Sequence, residues 1–160
     1  MNFFLALTVK SLPIIIANVV PVFFAKLLPS LDMPVDFGFN FTDGQRIFGK
    51  NKTLRGVFSA IAFGTLAGYV LNLGISAGFM LSLGTMCGDL LTSFIKRRMK
   101  VKPGQRFQPY ESEVFVLTAV LFAPALFSVT EVIAMMILSP AVYVLFNYLA
   151  YKTGLKNVPW

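Results

Sequence analysis

Asp89, Ser93, Lys96 and Arg97 stand at i, i+4, i+7 and i+8 within Gly88-Asp89-Leu90-Leu91-Thr92-Ser93-Phe94-Ile95-Lys96-Arg97-Arg98. That spacing puts all four on one helical stripe. The stripe runs from a carboxylate, through a hydroxyl, to two cations. A carboxylate can hold a divalent metal, and Lys and Arg can hold phosphate. Asp89 lies in an apolar run, where an ionised carboxylate costs about 2.5–3.5 kcal/mol on insertion scales and usually marks a function. Seven residues separate it from Lys96, about 10 Å of helix rise. The plainer alternative is that Asp89 only pairs with a buried lysine. Arg98, Lys100 and Lys102 read as a basic anchor at a membrane edge.

A second stretch, Asp43-Gly44-Gln45-Arg46-Ile47-Phe48-Gly49-Lys50-Asn51-Lys52-Thr53-Leu54-Arg55-Gly56, resembles a phosphate-binding loop without being one. Asn51 stands where Ser or Thr would bind magnesium, and no βαβ unit surrounds it. Glycine-rich backbone before a helix still offers N–H groups to phosphate oxygens. Lys52 and Thr53 would add a cation and a hydroxyl. The competing reading is a basic loop resting on anionic headgroups. A third stretch, Pro109-Tyr110-Glu111-Ser112-Glu113, carries two carboxylates at i and i+2. They either complete a metal site begun by Asp89 or sit at a helix N-terminus because the macrodipole favours them there.

Five apolar runs must position these groups: about Phe4 to Leu28, Gly56 to Leu73, Ile75 to Ile95, Val114 to Thr130 and Val132 to Tyr151. Runs of about 20 apolar residues cross a bilayer as helices. The expectation is an all-α integral membrane protein with five transmembrane helices, one domain over residues 1–160 and no cleaved signal peptide. Two long polar loops, about 29–55 and 96–113, and the tail carry 12 of the 14 Lys and Arg. The positive-inside rule places them in the cytosol, with the N-terminus outside. Lys10 and Lys26 lie within the first span. Glycines recur in fours at Gly64/Gly68, Gly74/Gly78 and Gly84/Gly88, which suits close helix approach within the chain. A homodimer contact is the second use of the same spacing. Asn18, between Pro13 and Pro21, reads first as an interhelical hydrogen-bonding residue.

The composition agrees. The chain is 56% hydrophobic and 13% charged, with 17 Phe and a net charge of +7. Soluble domains carry roughly 25% charged residues. A soluble globule and a nucleic-acid-binding domain are excluded. One Cys and no His exclude disulfide scaffolds, Cys/His zinc sites and histidine acid–base chemistry. What remains is Asp, Glu, Lys, Arg, Ser and Thr working with an oxygen-liganded metal. Basic loops over an acidic pocket suit a polyphosphate substrate in water and a partner anchored in lipid. A small transporter with Asp89 as a coupling-ion site is the alternative, although no internal repeat accompanies it.

Taken together, Pro13, Asn18, Pro21, Pro34-Val35-Asp36-Phe37-Gly38, Asp43-Gly44-x-Arg46-x-x-Gly49, Lys52-Thr53-x-Arg55-Gly56 and Gly88-Asp89-x-x-x-Ser93-Phe94-x-Lys96-Arg97-Arg98 resemble the CDP-archaeol synthase family over essentially the whole chain. These are membrane CTP-dependent cytidylyltransferases of archaeal ether lipids, related to the phosphatidate cytidylyltransferases. The resemblance implies cytidylyl transfer from CTP to an isoprenoid ether-lipid phosphate with Mg²⁺, releasing pyrophosphate at the cytosolic face of the cell membrane. It implies Asp89 as a metal ligand and Lys52, Thr53, Arg55, Ser93, Lys96 and Arg97 on phosphates. Asp43 and Arg46 would order the loop or touch the nucleotide, while Asp36 has no assigned role. The family's Asp-x-x-Asp element departs here to Glu111-Ser112-Glu113-Val114. Glu111 aligns with the first aspartate, and Glu113 replaces the second only after a one-residue shift.

Overall fold

The computed structural model describes residues 2–101, 105, 110–156 and 158. Among them are five α-helices: α1 (Phe3–Leu27), α2 (Leu54–Val70), α3 (Ile75–Arg98), α4 (Tyr110–Phe122) and α5 (Val129–Lys152), with a single 3-10 turn at Pro124–Leu126. Helices α1, α3 and α5, of 25, 24 and 24 residues, are long and apolar enough to cross a membrane. Helix α2 has 17 residues and α4 has 13. At 1.5 Å per residue they are about 25 and 20 Å long, short of a full bilayer core. The expected five apolar helices are present, but two of them are shorter than a span.

The fourth helix departs most from its expected limits. It starts at Tyr110 rather than Val114 and stops at Phe122 rather than Thr130. Proline at 124 lacks an N–H and disfavours helix at the residue before it, and Ala123 leaves the helical region at φ −139°, ψ 56°. Helix α5 then starts on a capping box. The Ser128 side chain accepts from the Glu131 N–H, and the Glu131 carboxylate accepts from the Ser128 N–H at 2.8 Å. Lys96, Arg97 and Arg98 belong to the last turn of α3 rather than to a loop. Lys102, Arg106 and Pro109 lie outside the described residues.

The helices pack in sequence order, α1 on α2, α2 on α3, α3 on α4 and α4 on α5. Small residues set these approaches. A Cβ on Gly64 would stand 2.6 Å from that of Ser82, and Gly68 meets the backbone of Gly78. Gly84 and Gly88 face Thr118, Ala119 and Phe115 of α4. Glycine spacing thus serves packing inside the chain, with Gly74 instead opening α3 at φ +97°. Helices α1 and α5 run parallel. Lys10 reaches Glu131 near their starts, and Lys26 reaches the Gly154 carbonyl, 3.4 Å away, near their ends. A groove separates them along most of their length.

Candidate active site

The 28–53 connection folds into a knot over the last turn of α3. Its frame is two single antiparallel bridges, Pro34 with Thr53 and Asn40 with Arg46. Asp36 is the centre. Its buried carboxylate accepts N–H groups from Gly38 (3.1 Å), Phe48 (3.1 Å) and Gly49 (2.8 Å), and takes the Arg46 guanidinium. Burial alone would raise the Asp36 pKa. The Arg46 guanidinium and the three N–H groups outweigh it and hold the carboxyl well below the usual carboxylate range. Asp36 is therefore the loop's organiser.

Arg98 fastens this knot to α3. It pairs with Asp43 at 2.6 Å, donates to the Arg46 carbonyl at 2.7 Å, and stacks over Phe41 and Phe94 at 4.9 and 4.6 Å. The expected anchor role of Arg98 is corrected to a clamp, because its guanidinium turns onto protein rather than headgroups. Asp43 and Arg46 order the loop and do not line the cavity below it.

That cavity has a volume of about 1440 Å³ and runs between α1 and α5 from the loop to the far end. Six cations line it: Lys50, Lys52, Arg55, Lys96, Arg97 and Lys156. Three carboxylates accompany them, Asp32, Asp89 and Glu111, so the wall is net positive. Away from the loop the lining becomes apolar, with Ile14, Ile15, Phe115, Val116, Met135 and Leu138.

Lys52 places its ammonium across both oxygens of Asp89 at 2.7 and 2.6 Å. This joins the first two stretches of the sequence in one cavity. It also gives Asp89 the lysine partner of the plainer alternative. Lys96 pairs with Glu111, whose other oxygen accepts from the Tyr143 hydroxyl at 2.7 Å. Thr53 caps α2, accepting the Gly56 N–H at 3.2 Å. Ser93 donates to the Asp89 carbonyl at 2.8 Å, which commits its proton to backbone, while the Thr53 hydroxyl serves the cap as an acceptor. Arg55 bonds the Leu28 carbonyl and Asp32. Arg97 keeps a buried Nε with no partner among the described residues. Glu113 is off the cavity wall, while Glu111 is on it. Asn18 lines the cavity and makes no interhelical hydrogen bond among the described residues.

Three cavity residues escaped the sequence reading: Tyr143, Asn147 and Lys156. Their signals are faint. Tyr143 and Asn147 are an i, i+4 polar pair inside an apolar helix, and the Asn147 side chain donates to the Tyr143 carbonyl at 2.8 Å. Lys156 follows Gly154 just past the helix end, and its ammonium bonds the Asn147 side-chain oxygen. Burial, with Lys52 and Lys96 close by, holds the Lys156 pKa below the ordinary lysine range despite Glu111 and Asp89.

Known proteins resemble this chain in sequence and in fold. A family model described as CDP-archaeol synthase (CarS-like) matches residues 2–160. The CDP-archaeol synthase of Pyrobaculum aerophilum is 41% identical over 135 residues, covering 79% of this chain and 82% of the relative. That of Pyrococcus abyssi is 36% identical over 158 residues, covering 89% and 94%. A solved structure described as "Structural insight into an intramembrane enzyme for archaeal membrane lipids biosynthesis" superposes with a TM-score of 0.75 at 26% identity, covering 87% of this chain and 90% of that one. The family match takes in the loop knot, the α3 stripe and all the cavity-lining cations, and the chain belongs to the CDP-archaeol synthase family.

Proposed function

We infer that this protein transfers a cytidylyl group from CTP to an unsaturated archaeal ether-lipid phosphate, forming CDP-archaeol and pyrophosphate. The observation that carries this reading is one continuous cavity with six cations at its loop end and apolar helix walls beyond. The nucleotide phosphates take the cationic end, and the isoprenoid chains lie along Ile14, Ile15 and Leu138. The basic loops face the cytosol, where CTP is dissolved. The relatives give no support to a transporter.

A lipid phosphate oxygen attacks the α-phosphorus of CTP as the bond to pyrophosphate breaks. The nucleophile is already anionic, so no base has to deprotonate it. The difficulty is repulsion between two anions, which the cations relieve by neutralising charge and fixing an in-line geometry. Arg97 and Lys50, free of ion pairs among the described residues, are open to phosphate. Lys52 and Lys96 exchange their carboxylates for phosphate oxygens. Their release leaves Asp89 and Glu111 as hard oxygen donors facing the same space. Mg²⁺ typically binds through one or two carboxylates plus substrate phosphates, and the Lys52 ammonium already spans the two Asp89 oxygens as a cation would. Asp89 and Glu111 would hold Mg²⁺, which when bound supplies further charge neutralisation at the phosphates.

Purified protein incubated with Mg²⁺, geranylgeranylglycerol phosphate and each NTP in turn should release pyrophosphate and yield a CDP-lipid by mass spectrometry with CTP alone. Pyrophosphate release without a nucleotidyl lipid, or equal use of every NTP, would refute the reading.

A further inference from the structure

The chain beyond α5 turns back into the cavity, and its geometry explains how. Thr153 closes the helix and Gly154 adopts φ +70°, the left-handed conformation common just past a helix end and favourable for glycine. The Leu155 and Lys156 N–H groups then both donate to the Ala150 carbonyl, at 2.8 and 3.1 Å. This reversal places Leu155 and Lys156 on the cavity wall. The Lys156 ammonium meets the side-chain oxygen of Asn147, whose amide is fixed by its bond to the Tyr143 carbonyl.

Of the lysines that line the chamber, three have a side-chain partner among the described residues, and the partners differ. Lys52 has Asp89 and Lys96 has Glu111. The partner of Lys156 is a neutral amide. A part-buried charge costs free energy unless an opposite charge meets it, so Lys156 joins Arg97 and Lys50 as a chamber cation with no ion pair among the described residues. We propose that Lys156 is a substrate-binding residue that takes a phosphate oxygen, with Asn147 aiming its ammonium into the chamber. The ligand chemistry is a phosphate dianion or polyphosphate, supplied by either CTP or the lipid phosphate. The proposal rests on the cytidylyl-transfer reading, and its test separates the two.

Lys156→Met, Lys156→Arg and Asn147→Ala are compared with the parent protein in steady-state kinetics, varying CTP and the lipid phosphate separately. Hydrogen bonds to charged groups of this kind correspond to about tenfold to hundredfold in binding. Lys156→Met should raise KM for one of the two substrates by about that factor. The affected substrate identifies the source of the phosphate. Lys156→Arg should recover most of the loss, and Asn147→Ala should raise the same KM by a smaller factor. Calorimetric titration with inorganic pyrophosphate and with a dialkylglycerol phosphate reads the same contact without turnover. It decides the proposal even if the parent protein proves inactive with CTP, a result that would sink only the cytidylyl-transfer reading. Binding of both ligands unchanged in Lys156→Met would overturn the proposal, as would equal losses in Lys156→Met and Lys156→Arg.

Discussion

Two lysine–carboxylate pairs with the same chemistry stand at opposite ends of the molecule, and their surroundings separate their roles. At the far end, Lys10 of α1 donates to both oxygens of Glu131 at 2.7 and 2.9 Å. Glu131 is also bonded by the Ser128 N–H and hydroxyl, and its side chain is only 7% exposed. Four hydrogen bonds reach this carboxylate, and the pair ties α1 to α5 where they otherwise share few contacts. At the loop end, Asp89 has Lys52 as its ion-pair partner, and their side chains are 22% and 28% exposed. No backbone N–H holds the Asp89 carboxylate among the described residues. The first pair is a fastening. The second is a charge-neutral resting arrangement that an incoming phosphate or cation can divide.

The largest effect should come from Asp89→Asn. The substitution keeps size and removes the charge that would receive a cation and release Lys52. Turnover should fall by about 1000-fold, the scale of losing a main electrostatic contribution to phosphoryl chemistry, with the melting temperature nearly unchanged. Pyrophosphate release at near-normal rates in purified Asp89→Asn would collapse the distinction between the two pairs.

The fastening pair should answer in the opposite sense. Glu131→Gln retains an oxygen for the Ser128 N–H but leaves the part-buried Lys10 without its counter-charge. Breaking one side of a buried pair costs about 3–5 kcal/mol, a fall in Tm of roughly 10 °C for a chain of this size. The double variant Lys10→Met/Glu131→Gln removes both charges and should regain most of that stability. Among molecules still folded, turnover should stay within about twofold of the parent. Thermal unfolding in detergent beside the pyrophosphate assay reads both quantities. Lost turnover at unchanged Tm would assign the far-end pair to the reaction instead.

These pairs also mark the boundary of what the sequence disclosed. Apolar runs placed the helices because burial in lipid requires about 20 consecutive apolar residues. The α3 stripe was visible because its members recur with the helical period. Pro124 was hidden, since the run from Val114 to Thr130 stays apolar through it and hydropathy does not register a lost N–H. The partnership of Lys52 with Asp89 crosses 37 positions and that of Lys10 with Glu131 crosses 121. Neither follows a local period, so the sequence displayed the charges without their pairing. Asp36 was opaque for the same reason. Its role depends on three N–H groups and one guanidinium that converge only when the loop closes.

The smallest effect concerns the two glutamates that the sequence left open. Glu111 lies on the cavity wall with Lys96 and Tyr143, whereas Glu113, two residues on, leaves that face of α4. Consecutive odd positions in a helix diverge by about 200°, so only one can serve the chamber. Glu111→Gln should lower kcat/KM for CTP by about tenfold to hundredfold, because Lys96 loses its counter-charge and the chamber loses a hard donor. Glu113→Gln, confined to the helix terminus, should change it less than about twofold and cost at most about 1 kcal/mol through the macrodipole. The ratio of the two losses is the sharper observable, since both variants remove one carboxylate from the same helical turn. Equal losses would mean that the reaction reads the overall charge of the α4 terminus rather than a placed carboxylate. Asp89 would then be the one acidic side chain that the chamber uses by position.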